Sequence, residues 1–223
     1  MSYPAWICPS ILSADFARLG EEVEAVVKAG ADRIHLDIMD NHYVPNLTMG
    51  PMVCESLRRY GIKTPFDVHL MVTEVESLAM KFVEAGASLI VFHPKAVKDL
   101  RSLILNIQAA GVECGLAINP DEEVSLVESH LGTIDRLLVM SVFPGFGGQA
   151  FIEKTLETTK KAHQIRLQKG YRFRLEMDGG ISSSNIARCK EAGADTFVSG
   201  SAIFKTKDYA GTIRAFREAL AGI

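Results

Sequence analysis

Short apolar runs recur along the chain, and stretches of helical periodicity separate them. The runs begin near Trp6, Arg33, Phe66, Leu89, Glu113, Ile134, Phe173 and Thr196. Each is brief, rich in branched residues and bounded by turn residues, the pattern of a buried strand. Between them, Val23, Val26 and Val27 fall on one helical face, as do Leu78, Phe82 and Val83, and Leu103, Ile104 and Ile107. A small theme repeats at the helix-to-strand junctions. Ala29-Gly30-Ala31, Ala85-Gly86-Ala87 and Ala192-Gly193-Ala194 each precede a strand run, with Ala110-Gly111-Val112 as a variant. Glycine just past a helix accepts the left-handed conformation that ends it.

Strict alternation of strand and helix implies a parallel sheet with helices outside. Eight such units closing on themselves make a (β/α)8 barrel. With 223 residues, each unit averages about 28, near the lower end for that fold. An open doubly wound sheet is the structural alternative, and it calls for a nucleotide fingerprint after the first strand. Pro9-Ser10-Ile11-Leu12 offers none. The reading is therefore α/β, a single (β/α)8 TIM barrel over residues 1–223, with no linker or low-complexity tract.

Composition narrows the setting. The chain carries 24 basic and 27 acidic residues, a net charge of −3, and is 48% hydrophobic. No basic excess points to nucleic acid or an anionic membrane, and no apolar run approaches the roughly 20 residues of a membrane span. The N-terminus shows neither the charged nor the apolar region of a signal peptide. Cys8, Cys54, Cys114 and Cys189 are widely spaced and include no CxxC pair. They read as free thiols in a reducing compartment, and the expected location is cytoplasmic.

The polar residues inside the strands carry the chemistry. Strand side chains alternate with period two. His35, Asp37 and Met39 share one face of the second strand, Asp67, His69 and Met71 one face of the third, and Glu176 and Asp178 one face of the seventh. The aliphatic faces suit the surrounding helices, so the polar faces point into the barrel. Buried carboxylates without partners are strongly unfavourable. A divalent cation held by His35, Asp37, His69 and Asp178 supplies the partner. Two imidazoles with two carboxylates suit Zn, Fe(II), Mn or Co better than Mg or Ca.

Glycine clusters mark the late strand ends: Gly145-Phe146-Gly147-Gly148 after the sixth, Gly179-Gly180 after the seventh, Gly200-Ser201 after the eighth. Glycine lets backbone N–H groups approach an anion closely. In barrels, the loops after strands seven and eight commonly hold phosphate. Little positive charge lies nearby, so backbone amides, a helix dipole and a cation are expected to hold the anion.

These motifs resemble the ribulose-phosphate 3-epimerase family. The matching stretches are Pro9-Ser10-Ile11-Leu12-Ser13-Ala14-Asp15, His35-Leu36-Asp37-Ile38-Met39-Asp40, Tyr43-Val44-Pro45-Asn46, Asp67-Val68-His69-Leu70-Met71-Val72, Phe143 to Gln149, Asp178-Gly179-Gly180-Ile181 and Gly200-Ser201-Ala202-Ile203-Phe204. Each stretch is short, and the resemblance spans nearly the whole chain. The resemblance implies interconversion of D-ribulose 5-phosphate and D-xylulose 5-phosphate, a step of the pentose phosphate pathway, by proton transfer at C3 through a cis-enediolate. It implies His35, Asp37, His69 and Asp178 as ligands of one divalent metal, with Asp37 and Asp178 also the acid–base pair. Ser10 and His69 are implied to contact substrate. Gly145, Phe146, Gly147, Gly148, Gly179, Gly180, Gly200 and Ser201 line the phosphate end. Met39, Met71 and Met140 are similar to the family's methionine ring beneath the reacting centre; by spacing alone they read equally as core.

The nearest rival is a sister 3-epimerase acting on a hexulose 6-phosphate such as D-allulose 6-phosphate. The intact Gly147-Gly148 and Gly179-Gly180 favour the pentose. A decarboxylase of the orotidine-phosphate type needs Asp-x-Lys at the second strand, where Asp37 is followed at that spacing by Met39. A Schiff-base aldolase would have only Lys95 to use, and Lys95, where relatives often carry an acidic residue, reads as a solvated loop charge. His93 reads either as support for the site or as a satisfied strand-end histidine. Residues 40–50 are a candidate flap. A homo-oligomer, dimer or hexamer, is expected from the resemblance.

Overall fold

The computed structural model describes residues 3–222. Eight strands form one parallel sheet: β1 (Trp6–Pro9), β2 (Ile34–Met39), β3 (Phe66–Met71), β4 (Leu89–Phe92), β5 (Glu113–Ile118), β6 (Arg136–Met140), β7 (Arg174–Asp178) and β8 (Thr196–Ser199). Each strand from β2 to β7 pairs with the next, β7 pairs with β8, and β8 pairs with β1. A parallel bridge between Ser10 and His35 completes the circle between β1 and β2. Two residues expected in the site therefore also close the barrel.

Among the described residues, eight helices follow the strands: α1 (Leu19–Lys28), α2 (Pro51–Tyr60), α3 (Val75–Glu84), α4 (Leu100–Ala109), α5 (Thr155–Lys169), α6 (Ile186–Glu191), α7 (Ser201–Phe204) and α8 (Tyr209–Ala221). The alternation is not strict. Two 3-10 turns, Val124–Leu126 and Glu128–His130, replace a helix between β5 and β6. Val124, Val127 and Leu131 are buried, spaced by three and then four residues, and the first step is the one a 3-10 turn eclipses. The eighth strand is followed by two helices, the four-residue α7 and then α8. Strand starts agree with the apolar runs to within one residue, except at β6. There, Ile134 is a buried loop residue and the strand starts at Arg136.

The repeated Ala-Gly theme does what its chemistry suggests. Gly30 and Gly86 sit at φ +102° and +94°, donating to the carbonyls of Val27 and Val83. Each turns the chain from a helix end into the next strand.

Burial sorts the strand residues into two layers. Ile34, Leu36, Val68, Leu70, Leu137, Val139 and Leu175 pack outward against Val23, Val26, Phe82 and Ile107 in the main core. Leu89, Val91, Ala117, Leu138 and Met140 form a smaller apolar cluster on the inner face. Buried polar residues occupy other inner positions, among them His35, Asp67, His69, Arg136, Glu176 and Thr196. No helix among the described residues is long and apolar enough to cross a membrane. All four cysteines are buried and unpaired.

Candidate active site

The site stands at the C-terminal end of the strands. β2 places His35 and Asp37 two residues apart on its inner face, β3 places His69 beside them, and β7 brings Asp178 from across the barrel. Register pairs Asp37 with His69 directly. One donor atom from each of the four residues lies within 4.8 Å of the others. His35 Nε2 is 3.3 Å from Asp37 Oδ1 and 3.7 Å from Asp178 Oδ2. His69 Nδ1 is 3.4 Å and 3.8 Å from the same two oxygens. Both imidazole nitrogens are buried without a hydrogen-bond partner. Buried nitrogens left in this way are strongly unfavourable. Two lone pairs and two carboxylates converging on one point fit a divalent cation with mixed nitrogen and oxygen preference.

The electrostatics separate the two carboxylates. Burial raises the pKa of Asp37, but His35 and His69 outweigh it and hold the group well below the usual carboxylate range. Asp178 is pushed up to about 7, by burial first and then by the neighbouring Asp37 charge. Burial disfavours a charged His35, yet Asp37 and Asp67 raise its pKa. Burial lowers that of His69. Two carboxyl groups driven apart in this way are what an acid–base pair requires.

Hydrogen bonds hold the Asp37 carboxylate and the strand ends that carry Asp37 and Asp178. Ser10 Oγ donates to Asp37 Oδ2 at 2.5 Å, and Thr48 Oγ1 donates to the Asp37 carbonyl at 2.6 Å. Ser141 Oγ donates to the carbonyls of Asp178 and Gly179.

Above the quartet opens a cavity of about 310 Å³. Ser10, Asp37 and Asp178 line it, with Met39, Met71 and Met140 beside them. Gly145, Phe146, Gly147, Gly148, Gly179, Gly180, Gly200 and Ser201 line it as well. His35 and His69 are fully buried behind Asp37 and do not line it. The sequence-predicted residues are thus brought together, with the two imidazoles set deeper than the rest.

The glycine loops need glycine. A Cβ on Gly180, at φ +64°, would stand 2.8 Å from the Phe151 amide nitrogen. Asn46 Nδ2 donates to the Gly145 carbonyl at 2.7 Å, and Gln149 Nε2 donates to the carbonyls of Phe143 and Phe146. Residues 40–50 are tied down in turn. Asp40 accepts from the amides of His42, Tyr43 and Thr73.

Three features lie outside the motif reading. His93 follows β4 directly, with its Nε2 3.0 Å from His69 Nε2, which makes it a neighbour of the quartet. Arg136 is fully buried under the site, 3.4 Å from Glu176. Lys205 lines the cavity beside the glycine loops. Its signal in the sequence was its position one residue past Gly200 to Phe204. Lys95 is exposed and pairs with Glu122 at 2.8 Å.

The sequence model of the Ribulose-phosphate 3 epimerase family matches residues 6–204, from β1 to the end of α7. The chain belongs to this family. A ribulose-phosphate 3-epimerase of Serratia marcescens is 52% identical over 203 residues, covering 91% of this chain and 97% of the relative. A ribulose-phosphate 3-epimerase of Escherichia coli (strain K12) is 49% identical over 217 residues, covering 97% and 96%. Among solved structures, KGPDC from Streptococcus mutans superposes with a TM-score of 0.73 at 20% identity, covering 100% of this chain and 99% of that one. Tryptophan synthase subunit alpha from Legionella pneumophila str. Paris superposes with a TM-score of 0.66 at 15% identity, covering 98% and 94%. At those identities the structures speak for the barrel alone, whereas the family speaks for an isomerase.

Proposed function

We propose that this chain interconverts D-ribulose 5-phosphate and D-xylulose 5-phosphate, with Asp37 and Asp178 as the two acid–base residues. The observation that carries the reading is that these carboxylates, from β2 and β7, line one cavity whose other end is glycine backbone. Epimerisation at C3 of a 2-ketose removes a proton next to the carbonyl and returns one to the opposite face. That requires a base on each side. In one direction the ionised Asp37 takes the C3 proton, and the electron pair moves into a C2–C3 enediolate. The protonated Asp178 then delivers a proton to C3 from the other face. In reverse the roles exchange. Ser10, donating to Asp37, holds that carboxylate in position.

His35, Asp37, His69 and Asp178 are the residues that would hold the cation, which is Zn, Fe(II), Mn or Co. Such an ion, when bound, would stabilise the negative charge that develops on the substrate. His69 acts through this set, because its ring is buried behind Asp37. The backbone of Gly145, Phe146, Gly147, Gly148, Gly179, Gly180, Gly200 and Ser201 receives the phosphate. The names of the relatives support the pentose substrate over a hexulose phosphate. Unpaired buried cysteines suit the cytoplasm. Assembly as a dimer or hexamer follows from the family resemblance and is read by sedimentation velocity.

The test is ribulose 5-phosphate epimerase activity after chelation and after adding back single metals, with solvent-hydrogen exchange at C3 followed in parallel. Turnover with exchange at C3 is the expected result. Full activity in a metal-free preparation overturns the cation assignment, and lack of exchange at C3 overturns the epimerase.

A further inference from the structure

We infer that Lys205 is a substrate-binding residue of this site, an ammonium group that faces the phosphate beside Gly148 of the glycine loop. The inference rests on the phosphate end proposed above and adds to it a charge that backbone amides do not provide.

Lys205 is the only cationic side chain among the described residues lining the cavity. The acidic residues of the lining are Asp37 and Asp178, both members of the quartet. Lys205 itself forms no ion pair among the described residues, unlike Lys95, Lys160 and Lys161, which each hold a carboxylate.

Its position is specific. The chain passes from Gly200 through α7, and the Lys205 amide donates to the Ser201 carbonyl at 3.2 Å. The side chain then turns back over the loop that follows β6. A Cβ placed on Gly148 would stand 4.0 Å from Lys205 Nζ and 3.9 Å from Ser201 Oγ. The ammonium and the hydroxyl therefore face the same bare stretch of backbone. Gly148 is at φ +77°, and the missing side chain leaves that space open.

A phosphomonoester near neutral pH carries a charge of about −1.5 to −2 and several strong acceptor oxygens. An ammonium is a compact charge with three donors. Without Lys205 the cavity would meet a dianion with neutral groups at one end and carboxylates at the other. An ammonium bound to the phosphate acts equally on ground and transition state, because the phosphate does not react. Its effect belongs in KM and not in kcat.

The experiment compares the wild type with Lys205→Ala, Lys205→Arg and Lys205→Glu. Inorganic phosphate serves as the binding probe by calorimetry, and ribulose 5-phosphate as the substrate. Lys205→Ala is expected to weaken phosphate binding about tenfold, the scale of one charge-assisted hydrogen bond. KM should rise in step, with kcat within about twofold. Lys205→Arg should stay close to wild type, and Lys205→Glu should be weaker than Lys205→Ala. The ratio of wild type to Lys205→Ala should shrink as salt rises toward about 0.5 M. Phosphate affinity unchanged in Lys205→Ala overturns the inference. If phosphate binding depends on Lys205 but ribulose 5-phosphate is not epimerised, the inference stands and the substrate reading fails. Normal epimerisation with a KM indifferent to Lys205 has the opposite meaning.

Discussion

The Nε2 atoms of His69 and His93 lie 3.0 Å apart, so one of the two carries the hydrogen between them. His69 turns its Nδ1 toward Asp37 and Asp178. For that nitrogen to offer a lone pair to a cation, the ring must hold its proton on Nε2. His93 Nε2 must then accept, and His93 carries its own proton on Nδ1. Burial first, and then the neighbouring His69, hold the His93 pKa well below its ordinary value, which keeps it a neutral acceptor. His93→Leu should therefore weaken metal binding about 10- to 100-fold, the usual cost of losing a partner behind a metal ligand. His93→Gln, which retains an acceptor oxygen, should recover most of it. Chelator competition on the three proteins measures this, and equal affinity in His93→Leu would reject the assignment.

Asp37→Asn and Asp178→Asn should each lower kcat by at least about 10³-fold, within the range for loss of a positioned acid or base. Both should still fold, because an amide keeps most of the local packing. The measurement pairs initial rates with thermal unfolding. Solvent deuterium uptake at C3 should fall with kcat in both variants. Near-normal turnover in either one would remove the two-base reading.

Much of this site was legible because strand periodicity is strict. Once β2, β3 and β7 were read as strands, His35, Asp37, His69 and Asp178 had to share the inner face. The glycine loops were legible through the backbone conformations they require. Arg136 was not, because an arginine at a strand start suggests an exposed end. Its fully buried place depends on Glu176 of β7, 40 residues away in sequence, and local pattern carries no such information. The crossover between β5 and β6 misled for a related reason. Apolar residues spaced by three or four fit a helix and a series of 3-10 turns alike. Lys205 and His93 were visible as residues, but what they face is set by loops from other units of the barrel.

Metal binding should release protons. Asp178 in the folded chain is raised to about 7 by burial and by Asp37, and a cation bound beside it favours the ionised form. Affinity should therefore rise as pH climbs through 7 and level off above. The sign for stability is the opposite in the metal-free protein. Between the ordinary aspartate value and about 7, the folded chain holds a proton that the unfolded chain has lost. Stability then falls as pH rises across that window. Glu176, raised to about 8 by burial and by Asp67, acts in the same direction. Calorimetry in buffers of different protonation enthalpy at pH 6 should report about one proton or more released per metal. Affinity independent of pH between 6 and 8 would contradict this.

Arg136 compensates the carboxylates beneath the quartet. Its Nη1 is 3.4 Å from Glu176, its Nη2 is 3.6 Å from Glu113, and it donates to Thr196 at 2.9 Å. Asp67 and Glu176 lie 3.9 Å and 3.8 Å from His35 Nδ1, so the arginine charge also bears on the ring that faces the cation. Arg136→Met fills much of the space but leaves buried acid groups without their cation. Breaking a buried pair from one side typically costs about 3–5 kcal/mol. Arg136→Met should lose stability on that scale in urea unfolding at pH 9, above the value of about 8 to which Glu176 is raised, where that carboxylate is charged. Adding Glu176→Gln should restore part of it, because the uncompensated charge is then gone. If the double variant is no more stable than Arg136→Met alone, the loss comes from packing around the arginine stem and not from the ion pair.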